Sequence, residues 1–192
     1  TQGTIRRSCA TGNVNGVGDV ARQEAYDARH ESLRRVQEEV VVKLVTELNG
    51  YDNLYYELGN EVHYAHFPEF LESIAEVVRK TEAKLPNQHL IAAYFGNRGR
   101  FVPVRPKDID VVNFHYAVPD AVVANRHLNC PIVLNETGFE GFDLYPYRRE
   151  AWRFMMSGGA GYSALDYSFK PDRPDGSERV TEGAPGCGGP EW

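Results

Sequence analysis

The strongest constraint on the fold is an alternation. Short apolar runs at 54–59, 89–95, 110–116, 131–137 and 160–167 are separated by helically spaced segments or turn-rich loops. Runs this short and apolar fit strands buried on both faces, and strands separated by helices pair in parallel. The spacing predicts a helix over 29–48, where Leu33, Val36, Val40, Leu44 and Leu48 recur every three or four residues beside Val41 and Val45. Asn49 and Gly50 end it. A second helix carries Phe70, Leu71, Ile74, Val77 and Val78 and is closed by Pro86. Further helices are expected over 119–128 and 147–156, the latter packing Trp152 and Phe154. The expected class is α/β, in one domain with loop-like ends at 1–19 and 170–192.

Two architectures accommodate five such strands. An open doubly wound sheet would be complete, yet no Gly-rich phosphate turn follows any strand. The alternative, adopted here, is a (β/α)8 TIM barrel that lacks its front strands. Open barrel edges expose unpaired backbone and apolar surface, so the chain is expected to be a piece of a longer product or to self-associate through those edges.

Composition excludes some partners. The formal net charge of -6, with no run of Lys or Arg, argues against nucleic acid and anionic membrane. No apolar run has the roughly 18–20 residues that span a bilayer. Cys9, Cys130 and Cys187 are odd in number and widely spaced, so they form neither a disulfide framework nor a metal pair.

The chemistry is expected at strand ends, where parallel α/β folds build their sites. Glu61 in ELGNE and Glu136 in VLNET each follow an Asn, Asn60 and Asn135, at the end of a run. Paired carboxylates on neighbouring strand ends suit glycoside hydrolysis, in which one carboxyl protonates the leaving oxygen and the other attacks the anomeric carbon. Under a two-residue period Glu57 shares the face of Glu61 one layer deeper, where a structural, paired carboxylate is expected. His115 is open to two readings, a core histidine or a substrate contact. Tyr116 would reach Glu136 only if its strand bends or bulges. His63 and His66 have an H-x-x-H spacing that suggests a metal, but zinc needs three or four converging ligands. Their other role is to line a loop where His63 or Tyr64 meets sugar. Asp166 is either a ligand-hydroxyl acceptor or a turn cap, and Tyr94 or Phe95 is expected to flank the cleft.

In this combination, strand-Asn60-Glu61, then a strand ending His115-Tyr116, then a strand ending Glu136, the chain resembles the second part of a glycoside hydrolase of clan A, the retaining cellulase-like (β/α)8 barrels. The resemblance covers roughly 32–169 and implies that strands four to eight are present. It implies Glu61 as acid/base, Glu136 as nucleophile, and Asn60, His115, Tyr116, His63 and Asp166 as contacts to an oligo- or polysaccharide, with no cofactor. Asp166 stands near where many clan members place a Trp, leaving Tyr162, Tyr167 and Phe169 as aromatic substitutes. The resemblance also favours a secreted or periplasmic location. The alternatives are a noncatalytic carbohydrate-binding barrel and a metal-dependent hydrolase using His63, His66 and His115.

Overall fold

A computed structural model describes residues 16–63, 65, 67–98, 101–140, 143–166 and 168–177. The expectations for Tyr64, His66, Tyr167, Cys9 and Cys187 lie outside them. The fold class is α/β, with five parallel strands that follow one another in the sheet in chain order. The chain divides into two compact units. One holds the described residues up to Ile91 with Pro106–Ile109, and the other Ala92–Arg105 and the described residues from Asp110 onward.

The first unit contains α1 (Glu31–Leu48), β1 (Tyr56–Leu58) and α2 (Phe67–Glu82). On α2 the predicted stripe is the buried one, with Leu71, Ile74 and Val78 inside and Phe67, Ala75 and Glu82 added to it. The stripe on α1 behaves differently. Only Val45 is buried there, while Val36, Val40 and Leu44 stay exposed. Periodicity specifies that a face is apolar without specifying that this chain covers it. Phe67 and Phe70 close the far end of α2 against the edge of Tyr26, with ring centroids 5.6 and 5.1 Å away.

A polar lock joins the end of α2 to the chain entering the sheet. His89 Nδ1 lies 2.6 Å from Glu82 Oε1 and its Nε2 lies 2.7 Å from the Tyr51 carbonyl. A carbonyl only accepts and a carboxylate accepts when ionised, so both ring nitrogens donate and the imidazole is charged. The Glu82 hydrogen bond is the main cause of the raised pKa of His89, against the lowering effect of burial. Next to it, the Tyr56 amide donates to the Leu90 carbonyl at 3.0 Å, which fixes β1 alongside the chain that leads into the next strand.

The second unit is built on β2 (Ile91–Asn97) from Ala92 onward, β3 (Val111–His115), β4 (Ile132–Glu136) and β5 (Gly161–Tyr162), with α3 (Asp120–Ala124) and α4 (Leu144–Met156) between strands. Val112, Phe114, Ile132 and Leu134 from the strands meet Ala121, Val122 and Phe154 in its core. Asn113 and His115, one residue out of phase on β3, are buried on the opposite face.

Two predicted elements are interrupted. The helix expected over 119–128 splits at Asn125, whose side chain donates to the Ala121 carbonyl and accepts from the Val102 amide, both at 2.8 Å. A short 3-10 turn, Arg126–Leu128, follows. The strand expected over 160–167 is regular only at β5. The Ser163 and Leu165 amides still donate to Leu134 and Thr137 at 2.7 Å, so the chain continues beside β4 without regular strand geometry. On α4, Phe154 is buried as expected, whereas Trp152 is 68% exposed. Tyr147 and Phe154 stand seven residues apart on the buried side, and Trp152 is turned away from it.

Candidate active site

Glu136 owes its direction to a break in register. Val112, Asn113 and Phe114 pair one-to-one with Ile132, Val133 and Leu134, but His115 then pairs with Glu136 and skips Asn135. Strict alternation would send Glu136 to the same side as Leu134, into the apolar core. The extra residue moves it onto the side of His115 and Asn113, as a bulge at a strand end does.

Tyr116 meets it from the neighbouring strand. Its φ of 49° is left-handed, which ends β3 and turns the side chain out of the strand's alternation. The Tyr116 hydroxyl donates to Glu136 Oε1 at 2.8 Å, and its amide donates to the Glu136 carbonyl, also at 2.8 Å. The condition set by the sequence, that Tyr116 reaches Glu136 only through a bend, is met in this way. A hydroxyl on a carboxylate is a strong hydrogen bond, and it fixes one oxygen while leaving the other to act.

His115 is fully buried, with its ring 4.6 Å from that of Tyr94. Its Nδ1 stands 3.6 Å from Glu136 Oε2, too long for a hydrogen bond. Of Tyr94 and Phe95, Tyr94 therefore belongs to this group, and Phe95 packs against the core. The structure brings together His115, Tyr116 and Glu136. Within this unit His115 and Glu136 each offer one donor atom that a metal could use.

Asp166 is held elsewhere. Its Oδ1 accepts from the Ser168 amide at 2.9 Å and from the Ser168 hydroxyl, the contacts of a turn cap.

In the first unit, β1 stops at Leu58, and Gly59 and Glu61 are both left-handed, with φ of 81° and 51°. The two-residue period therefore does not carry through to Glu61, and its direction is set by this turn. Gly59 is required: a Cβ there would stand 2.6 Å from Phe67 Cζ. Asn60 and His63 are exposed and Glu61 is half-buried. Glu57 is half-buried and lines a groove with Val41, Leu44, Phe70, Ile74 and Val78.

One feature of the second unit was not anticipated. A cleft of about 510 Å³ opens beside Tyr116 and Thr137, walled by Phe139 and by Arg98, Arg149 and Arg153. Pro146, Arg149, Glu150 and Arg153 recur along α4 at intervals of three and four, the one signal from which this wall was legible. No family model matches the chain, and no curated protein matches it.

Proposed function

We propose that this chain is part of a (β/α)8 barrel, its strands four to eight, that hydrolyses a β-linked glycoside with retention. The observation that carries the reading is the double hold of Tyr116 on Glu136 at the end of a parallel strand. A nucleophilic carboxylate needs one oxygen fixed and its charge supported, and this arrangement does both.

In the proposed reaction an oxygen of Glu136 attacks the anomeric carbon while the bond to the leaving oxygen breaks. That oxygen takes the proton of Glu61, and a glycosyl-enzyme ester results. Glu61, now a carboxylate, removes a proton from water, which attacks the same carbon and releases Glu136. Two inversions give retention. Asn60 and His63 would bind sugar hydroxyls beside Glu61, and no cofactor takes part.

Incubation with a panel of 2-deoxy-2-fluoro glycosides, followed by digestion and mass spectrometry, tests this directly. A sugar esterified to Glu136 is expected. A covalent label on another residue would remove Glu136 as nucleophile. Activity lost to a chelator and restored by zinc would favour a metal-dependent hydrolase instead. Saccharide binding without turnover, unchanged in Glu136→Ala, would favour a noncatalytic binding barrel.

A further inference from the structure

The cleft beside Tyr116 sets three arginines against two carboxylates, Glu140 and Glu150, a formal excess of positive charge in a chain whose formal net charge is -6. Arg98, Arg149 and Arg153 line it, and among the described residues none of the three makes an ion pair. Of the two carboxylates at its wall, Glu150 accepts the Tyr162 hydroxyl at 2.9 Å. Arg149 and Arg153 are four apart on α4, a spacing at which like charges repel by a few tenths of a kcal/mol, roughly 0.2–0.5. An anion between them relieves that repulsion.

The backbone also converges here. Arg98, Tyr116 and Phe139, with φ of 60°, 49° and 69°, are all left-handed non-glycine residues, and all three line this cleft. Each follows the end of a strand, β2, β3 or β4. Sparsely populated conformations of this kind cost of order 1–3 kcal/mol each and gather where a side chain must be aimed. Arg98 is tied in place by its amide, which donates to the His115 carbonyl at 2.9 Å. The Phe139 ring, 55% exposed and 6.1 Å from that of Tyr116, presents a flat apolar face of the kind on which a pyranose stacks.

We propose that this cleft binds an anionic sugar residue, through a uronate carboxylate or a sulfate ester, and that the substrate is therefore an acidic glycan. The inference rests on the glycosidase reading, because Tyr116 both lines the cleft and holds Glu136. Guanidinium groups suit either anion, since their paired N–H donors match its oxygens. Tyr116 joins the two functions: it is the shared wall between the anion's place and the carboxylate that attacks.

The test is calorimetric titration of the full chain with three β-linked trisaccharides alike except at one unit, which is glucose, glucuronate or 6-sulfated glucose. At least one acidic probe is expected to bind about tenfold or more tightly than the neutral one at low salt, the margin shrinking as salt is added. Which acid wins names the anionic group. Arg149→Gln with Arg153→Gln is expected to erase the margin, the corresponding Lys pair to keep most of it, and Arg98→Gln to reduce it independently. Equal affinity for acidic and neutral probes, binding of none, or an undiminished margin in the Gln pair would overturn the proposal. Because the readout is binding, its failure is separate from that of the hydrolase reading. Acidic preference with no turnover and no Glu136 ester would overturn hydrolysis and leave the cleft's assignment standing.

Discussion

Tyr116 holds Glu136 at two points, its amide on the carbonyl and its hydroxyl on the carboxylate, each at 2.8 Å. The first bond belongs to the backbone and survives any substitution except proline. The second belongs to one oxygen atom. Tyr116→Phe is therefore expected to leave the fold intact while removing a hydrogen bond to a charged group, worth about 1.5–3 kcal/mol. On the proposed mechanism kcat falls about ten- to a hundredfold at temperatures where the variant is fully folded, although the lost bond lowers the melting temperature by several degrees. A lowered melting temperature with kcat unchanged would mean that the hydroxyl serves stability instead.

The His89–Glu82 lock predicts a pH dependence of stability. The folded pKa of His89 is raised above its unfolded value of about 6.5. The native state thus binds the proton more tightly, and the stabilisation is fully present below about pH 6.5 and is lost as pH rises through the raised folded value. Urea midpoints measured across neutral pH should fall, and His89→Gln should flatten the curve. A flat wild-type profile would show that folding leaves the His89 pKa unchanged, and a rising one that the native imidazole is neutral. His89→Ala should cost about 1.5–3 kcal/mol, the loss of a hydrogen bond to a charged group, since Arg79 Nη1 stays 3.8 Å from Glu82 Oε2.

Gly59→Ala is expected to destabilise the first unit by about 1–3 kcal/mol, from the Cβ placed against Phe67 and the left-handed backbone together. Combining it with Phe67→Leu, which removes the ring from the Cβ's path, should recover the steric part and leave the backbone part. Additive losses measured by denaturant unfolding would contradict that contact.

Val36, Val40 and Leu44 form an exposed apolar stripe on α1. Val40→Glu with Leu44→Glu should change stability by no more than about 0.5 kcal/mol per site, as surface changes do. If the chain self-associates through this face, sedimentation should show the pair shifting it toward monomer. An unchanged sedimentation profile would place self-association elsewhere.

The parallel α/β class was legible because it depends on short apolar runs alternating with helical or loop segments, and the chain carries that alternation. Glu136 was legible as a residue type at a strand end, and Tyr116 only as a conditional. What hid the rest was geometry with no compositional mark. Nothing in VLNET says that the register skips Asn135, and without that bulge strict alternation would turn Glu136 toward the core. The left-handed Arg98, Tyr116 and Phe139 are ordinary residues in sequence, since glycine is the usual mark of such a backbone and none stands at those positions. The α1 stripe failed for a different reason: the pattern was right, and what covers it is not a property of the helix.

The bulge at Asn135 has a consequence for how this strand can change over time. It divides eight consecutive residues, Ile132 to Phe139, into two inheritances: Ile132 and Leu134 answer to the core, and Thr137, Gly138 and Phe139 answer to the cleft. Drift on one side of Asn135 is thereby insulated from drift on the other. A lineage of such chains is free to acquire new ligands by varying the later segment while the earlier one keeps the sheet folded, and a library randomised at the exposed Phe139 and Glu140 would sample cleft chemistry with little penalty in folding.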